Sequence, residues 1–509
     1  MTPIGFDNSY ARDLPDAYVA WQPRAAPAPR LLFFNRALAD ELGLDAQGLD
    51  SLEGVSIFAG NVVPPGAQPL AQAYAGHQFG GFSPQLGDGR AVLLGEIVDR
   101  SGRRRDLALK GSGRTPFARG GDGKAAVGPM LREALLGESM HALGVPTSRA
   151  LAVVATGEPV QREHRLPGAV LTRVAASHLR VGTLQFFAAR GQIDTLRQVA
   201  DYAIARHDPA LLGDPDRYVG LLRAVAQRQA ALVAQWMNLG FIHGVMNTDN
   251  MTLSGETIDY GPCAFIEAYD PHAVFSSIDE AGRYAFGNQP AIARWNLARL
   301  AEALLPLIAD GGDGDHGRHG DAEVVTRHAI DRVMPVIDAF ASWYDAHWRA
   351  GQWAKLGLSQ SVAAEAAGLA DDWLELLHVH VVDFTLGWRR LVDAAAGDEA
   401  PLRSLFANTP ALAPWLARWR TLSEHDLAAS GLSPAERVRR MRVANPAIIA
   451  RNHQVERALA AATDAADLVP FERLLAALRH PDDEVGEFAA FVEPAPRSFT
   501  AAYRTFCGT

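Results

Sequence analysis

The sequence predicts an α+β fold, with a smaller β-rich part followed by a larger helical one. Three observations predict it. Residues 61–125 are the glycine-richest stretch and carry short apolar runs bounded by turn residues, the pattern of strands. From about residue 185 apolar residues recur at helical spacing over long segments. The composition, 48% hydrophobic and 21% charged over 509 residues, is that of a globular chain with roughly two to four compact units. The expected division is 1–184 for an N-terminal extension and a β-rich lobe, and 185–509 for a helical lobe with a further helical region.

Each element follows from local chemistry. Residues 23–30 (PRAAPAPR) read as extended chain, because proline fixes φ and turns the preceding residue away from helix. Residues 31–44 have a helical pattern ending near Gly43. Residues 91–98 and 106–109 read as buried strands joined by the turn Asp99-Arg100-Ser101-Gly102. A helix is expected over 129–143, with Met130, Leu131, Ala134, Leu135 and Met140 on one side and Gly144 as its stop. Residues 150–155 and 168–174 read as strands. Helices are then expected over 193–206, 217–238, 291–308, 322–350, 370–396 and 435–460. In 217–238 the stripe is Leu221, Val225, Leu232 and Trp236, closed by Gly240. The glycine and charge loop 310–321 has no core-forming residues and lacks the glutamate that closes a calcium loop at its twelfth position. No internal repeat is evident.

The charge balance, 48 Lys+Arg against 58 Asp+Glu for a net −10, argues against non-specific nucleic-acid binding. No run of about 18 apolar residues is long enough for a membrane span, and the start lacks a secretory pattern. Two cysteines, Cys263 and Cys507, make neither a disulfide framework nor a tetrathiolate site. The expectation is a cytoplasmic protein without nucleic-acid or membrane partners.

Five constellations bear on chemistry. Gly80-Gly81 and Gly87-Asp88-Gly89-Arg90 precede the strand at 91. Glycines there let backbone N–H groups approach phosphate, although a plain tight turn fits as well. Lys110 ends the next strand, where a protein kinase keeps its phosphate-pairing lysine. Glu133 on the following helix is placed to pair with that lysine, with Glu138 as competitor. Gly120-Gly121-Asp122-Gly123-Lys124 is a second candidate anion nest. The strongest is His243-Gly244-Val245-Met246-Asn247-Thr248-Asp249-Asn250, followed by Asp259-Tyr260-Gly261. Asn250 stands seven residues after His243, as in the kinase loop H-R-D-x-x-x-x-N, and Asp259 stands where D-F-G holds Mg²⁺. The third position, which carries the catalytic Asp of kinases, is Val245.

The order of these signals is that of a kinase, yet the missing Asp argues against ordinary phosphotransfer. The chain resembles the selenoprotein O family. The resemblance is carried by FAGNVVPPGAQPLAQAYAGHQFGGFSPQLGDGRAVLLGEI, LALKGSGRTPFARGGDGKAAVGPMLREALLGESMHALGVPTSRAL and GFIHGVMNTDNMTLSGETIDYGPCAFIEAYDP, and it extends from about Asn8 to about 460. It implies a protein-kinase-like two-lobed fold of pseudokinase type. It also implies ATP bound in a turned orientation, and transfer of AMP to Ser, Thr or Tyr hydroxyls of proteins with pyrophosphate released. Transfer of UMP from UTP with Mn²⁺ is the implied alternative.

Carried onto this sequence, the resemblance implies that Gly87, Gly89, Arg90, Lys110, Asp122, Gly123, Arg173, Arg180 and Asp259 bind the nucleotide. Glu133 would position Lys110, and Asn250 and Asp259 would hold Mg²⁺ or Mn²⁺. Asp249 matches the family's proton acceptor, though an Asp beside a metal-binding Asn fits a water-mediated metal contact equally. Arginines suit phosphate oxygens by bidentate contact, and one carboxylate plus one amide plus phosphates suits Mg²⁺. The sequence departs from the family at its redox switch. Cys507 stands at the selenocysteine position, but Ser276 and Ser277 occupy the stretch where a partner cysteine is expected, leaving Cys263 as the other thiol. A nucleotide-binding scaffold is the reading from a different class, and retention of Lys110, Asn250 and Asp259 argues against it.

Overall fold

A computed structural model of the chain describes residues 4–310, 322–362, 364–406 and 410–506. The loop 311–321 and Cys507 lie outside the described residues. The architecture is mixed α+β, an antiparallel sheet in the first part followed by a largely helical part.

The strands of the first part, in chain order, are β1 (Tyr18–Ala20), β2 (Arg30–Phe34), β3 (Leu70–Gln72), β4 (Gly76–Gln78), β5 (Gly81–Ser83), β6 (Ala91–Val98), β7 (Arg104–Lys110), β8 (Ala125–Ala126), β9 (Arg149–Gln161) and β10 (Arg165–Ala175). Among the described residues eight of them form one sheet in the order β1-β3-β6-β7-β10-β9-β2, with β8 on β10; β4 and β5 make a separate hairpin. Register places Lys110 opposite Ala91 and Leu171, and Arg173 opposite Ala108. Side chains alternate along a strand, so Asp106, Lys110 and Arg173 share one face. That face is the floor of the cleft described below.

The strand expected at 91–98 and the turn after it are present, and Asp99 N–H donates to Arg103 O at 2.8 Å. The helix expected at 129–143 runs Val127–Ala142. It is buried on nearly all sides rather than along one stripe, because β9 and β10 cover one side and the helices Asn452–Asp464 and Val469–Leu478 cover the other.

Three expectations are corrected. The helical pattern at 31–44 is instead a strand, β2, followed by the helix Arg36–Glu41. Arg30, Leu31 and Phe34 pair with β9, and the Asn35 side chain accepts from Leu38 N–H at 3.2 Å to start the helix. The long pattern at 370–396 breaks into Leu369–Val379 and Phe384–Ala395, because Val381 takes φ 52° and Asp383 caps the second helix. The pattern at 435–460 breaks into Pro434–Ala444 and Asn452–Asp464. Pro446 has no N–H to continue a helix, and the residue before it is turned away from helical backbone.

The helices Arg217–Leu239, Gln289–Ala309 and Ala322–Leu356 pack on one another. Gly240 ends the first with φ 74°, and a Cβ there would stand 2.8 Å from Phe384. A second core is built on Trp373, Trp388, Trp415 and Trp419, with Trp373 and Trp415 centroids 4.5 Å apart. No helix of the described residues is long and apolar enough to cross a membrane.

Candidate active site

A cleft of about 660 Å³ opens between the sheet and the helical part. Its lining includes Gly87, Gly89, Arg90, Lys110, Asp122, Gly123, Glu133, Arg173, Arg180, Asp249, Asn250 and Asp259. The structure thus brings the sequence-predicted residues, spread over more than 170 positions, to one cavity.

Glycine is required at two points of the rim. Gly87 has φ 76°, and a Cβ there would meet the Phe117 ring at 2.3 Å. Gly123 has φ 70°, and a Cβ would stand 2.2 Å from the Gly113 carbonyl carbon. Each loop therefore approaches its neighbour more closely than any side chain allows. Asp122 lies on the outer rim, where its carboxylate pairs with Arg162 at 2.8 Å and accepts from Lys124 N–H at 2.9 Å.

Charge concentrates on the floor. Lys110 Nζ bonds the Glu133 carboxylate and reaches Asp259 Oδ1 at 2.5 Å. Arg173 Nη1 donates to the same Oδ1 at 2.7 Å, and Arg180 Nη1 lies 3.7 Å from Oδ2. Burial opposes the charge on Asp259, but Lys110, Arg173 and Arg180 hold its carboxyl well below the usual carboxylate range. Its backbone has φ 63°, uncommon for a residue with a Cβ. The competitor Glu138 turns elsewhere, pairing with Arg149 at 2.8 Å and Arg479 at 2.9 Å.

The loop 243–250 is fastened from both sides. His243 is buried, with Nε2 2.9 Å from Ile258 O. Asn247 Oδ1 accepts from Tyr284 OH at 2.6 Å and Phe79 N–H at 3.1 Å, and Thr248 Oγ1 accepts from His77 N–H at 2.7 Å. The β4–β5 hairpin is therefore a brace for this loop. Val245 lines the cleft in place of a carboxylate. Asn250 Nδ2 donates to Val245 O at 2.9 Å, which leaves its Oδ1 for a cation.

Asp249 is buried, and Arg180 Nη1 donates to its carbonyl at 3.0 Å. Its Oδ1 packs beneath Gly76, where a Cβ would stand 2.5 Å away, and has no hydrogen-bond partner among the described residues. Its Oδ2 takes only a long contact from Gln78 Nε2, 3.4 Å. Burial pushes the Asp249 carboxyl up to about 6 against the pull of Arg180.

Sequence reasoning missed several cleft residues. Asp88, within the glycine loop, is buried and accepts from Gln72 N–H at 3.0 Å; burial pushes it up to about 6. A charge inside a glycine cluster was the available signal. Tyr74 lies under the Arg180 guanidinium, 4.5 Å from its ring centroid, and Arg162 comes from the β9–β10 turn; neither sits in a motif. The thiol of Cys263 is buried, and burial pushes it up to about 12. Thr505 bonds the 275–277 stretch, donating to Phe275 O at 2.8 Å and accepting from Ser277 N–H at 2.9 Å.

Comparison with known proteins completes the picture. A family model described as protein adenylyltransferase SelO matches residues 2–479. The protein nucleotidyltransferase YdiU of Cereibacter sphaeroides (strain ATCC 17023) is 60% identical over 505 residues, 99% of each chain. Proteins of the same name from Chromobacterium violaceum, 55% identical over 97% of this chain and 100% of the relative, and from Mycobacterium sp. (strain KMS), 54% identical over the whole of both, match as well. With a matching model over most of its length and relatives alike from end to end, the chain belongs to the SelO family of protein adenylyltransferases.

Proposed function

We propose that the cleft transfers AMP from ATP to Ser, Thr or Tyr hydroxyls of proteins. The acceptor oxygen attacks the α-phosphorus, the bond to the β,γ-phosphates breaks, and pyrophosphate leaves. One observation carries the reading: three cations, Lys110, Arg173 and Arg180, converge on a single carboxylate, Asp259, at the cleft floor. Such a cluster suits a polyphosphate chain whose charge grows on the leaving group. Gly87, Gly89 and Arg90 on one rim, and Asp122 and Gly123 on the other, would hold the remainder of the nucleotide. In support of the kinase-like, two-lobed reading (1–184 and 185–509), the strand lysine, the helix glutamate, the 243–250 loop and Asp259 line one cleft.

Among the described residues no group of three or more His, Cys, Asp or Glu makes a metal cage. The available donors are the Asp259 carboxylate and the Asn250 amide oxygen. A divalent cation fits that pair when phosphates complete its shell, which is the habit of Mg²⁺, with Mn²⁺ as alternative. When bound it would supply charge neutralisation at the phosphates. Asp249 Oδ2, on its 3.4 Å contact, is the oxygen left to take the acceptor hydroxyl's proton. The setting would be the cytoplasm, where ATP is available and Cys263 stays a thiol.

The test uses ATP labelled on the α-phosphate or on the γ-phosphate, with Mg²⁺, a cell extract and an Asp259→Ala control. Protein-bound label from α alone, lost in the variant, is the expected result. Label from γ alone would show a kinase. Label from α-labelled UTP with Mn²⁺, and none from ATP, would show uridylyl transfer.

A further inference from the structure

The cleft-facing side of the sheet carries a second, fully buried set of polar groups beneath Arg173. Asp106, two strand positions from Ala108, faces the same side as Lys110 and Arg173. It accepts from His178 N–H at 2.8 Å, from His178 Nδ1 at 2.9 Å and from Arg206 Nη2 at 2.5 Å. Arg206 comes from the helix Ile193–His207 and is itself fixed by Ala176 O at 3.0 Å and Tyr202 OH at 2.9 Å. The anchor is thus tied to two elements.

The other imidazole nitrogen, Nε2, lies 3.2 Å from Arg173 Nε. An arginine Nε carries a hydrogen and no lone pair, so Nε2 must accept. The ring proton then resides on Nδ1, pointing at Asp106. The same residue's carbonyl accepts from Arg180 Nε at 3.3 Å. His178 therefore touches both arginines, one through its ring and one through its backbone. It is 3% exposed with both ring nitrogens engaged, which leaves it no route to a substrate atom. Burial keeps the imidazole neutral, pushing it down to about 4, and burial of Asp106 is overcome by Arg206 and His178, which hold that carboxyl at about 2.

We propose that His178 is a positioning residue for nucleotide binding: Asp106 locks its tautomer, and Nε2 holds Arg173 by its Nε–H so that the other guanidinium N–H groups face the nucleotide's phosphates. This rests on Arg173 being a phosphate ligand in the adenylyl-transfer reading. The physical gain is pre-organisation. With Nε on His178 and Nη1 on Asp259, the guanidinium plane is fixed at two points before any phosphate arrives. A carboxylate that accepts from one imidazole nitrogen fixes the ring's tautomer and orientation, as it does for metal-bound histidines, and here the other nitrogen holds an arginine.

Two conservative variants separate the contacts. In His178→Asn the amide nitrogen stands near Nδ1 and keeps the Asp106 bond, but nothing reaches Arg173. In His178→Gln the amide oxygen extends to the position of Nε2 and restores the acceptor. Binding of α,β-methylene-ATP, the KM and kcat for ATP, and melting temperature would be measured for both, alone and with Arg173→Ala. His178→Asn is expected to weaken binding and raise KM about 10-fold, and His178→Gln to stay within about threefold of wild type. In the Arg173→Ala background His178→Asn should change nothing further.

Wild-type binding in His178→Asn would overturn the proposal. So would equal losses in Asn and Gln, or a full additional loss on top of Arg173→Ala. If His178→Asn does not fold, the ¹⁵N shifts of His178 in the wild type decide, assigned by difference with His178→Gln. A protonated Nε2 refutes the relay, and a protonated Nδ1 with free Nε2 upholds it. Binding of the analogue is read without turnover, and α-label transfer by wild type is read separately, so failure of the relay and failure of the adenylyl reading are distinct results.

Discussion

Two lysines are buried in this chain, Lys110 on the cleft floor and Lys355 in the helical part, and they are treated in opposite ways. Lys110 is 7% exposed and has two carboxylates, Glu133 and Asp259, with Arg173 alongside. Lys355 is 4% exposed and has no carboxylate partner among the described residues. Its Nζ stands 4.9 Å from the Trp388 centroid and 5.7 Å from that of Phe384, with a 3.4 Å contact to Ala444 O at the end of Pro434–Ala444. Helix-end carbonyls and ring faces favour a cation weakly. Burial alone pushes Lys355 from 10.5 down to about 7. The difference teaches that burying charge has no single meaning. In the cleft it assembles a charge cluster around one carboxylate; in the tryptophan core it is a desolvated charge tolerated for packing.

The comparison breaks most sharply on activity. Lys110→Met should lower AMP transfer by about 10²–10³-fold, whereas Lys355→Met should leave it within about twofold of wild type; initial rates with α-labelled ATP decide. An equal loss in both would mean that the helical core controls the cleft. Next comes the brace. Gly76→Ala would put a methyl 2.5 Å from Asp249 Oδ1 and displace the carboxylate. A fall in kcat of about 10–100-fold with little change in melting temperature is expected, measured by kinetics and thermal unfolding together.

The stability predictions are smaller. Between pH about 7 and 10.5 the unfolded chain holds a proton on Lys355 that the folded chain has released. Stability from this group is therefore full above 10.5 and is lost as pH falls to about 7, a span of roughly 5 kcal/mol at most. Lys355→Met should flatten that slope and stabilise the fold at pH 7 by about 1–3 kcal/mol, read by denaturant melts at pH 7 and pH 10. Glu256 gives the opposite sign. It accepts from Ala176 N–H at 2.7 Å, and burial pushes it from 4.5 up to about 7. Its favourable contribution is full below pH 4.5 and is lost as pH rises through about 7. Glu256→Gln should remove that dependence, worth about 2–3 kcal/mol, in melts at pH 5 and pH 8.

Much of the molecule was legible in the sequence because it is local. A short apolar run closed by a turn made Ala91–Val98 a buried strand, and a period near 3.6 made Arg217–Leu239 a helix stopped by Gly240. The spacing from His243 to Asn250, with Asp259 beyond, marked the loop that the structure places in the cleft, and the resemblance to the family followed from contiguous stretches. Tertiary structure alone decided the rest. β2 is a strand because β9, more than a hundred residues later, offers it hydrogen bonds. Glu133 rather than Glu138 meets Lys110 because the strand end and the helix face happen to converge there, while Arg149 and Arg479 claim the other carboxylate. Asp106, His178 and Arg173 become one unit only when β7 and β10 lie side by side. Backbone periodicity is written in neighbouring residues, whereas charges choose partners through space, and a linear text does not carry that distance.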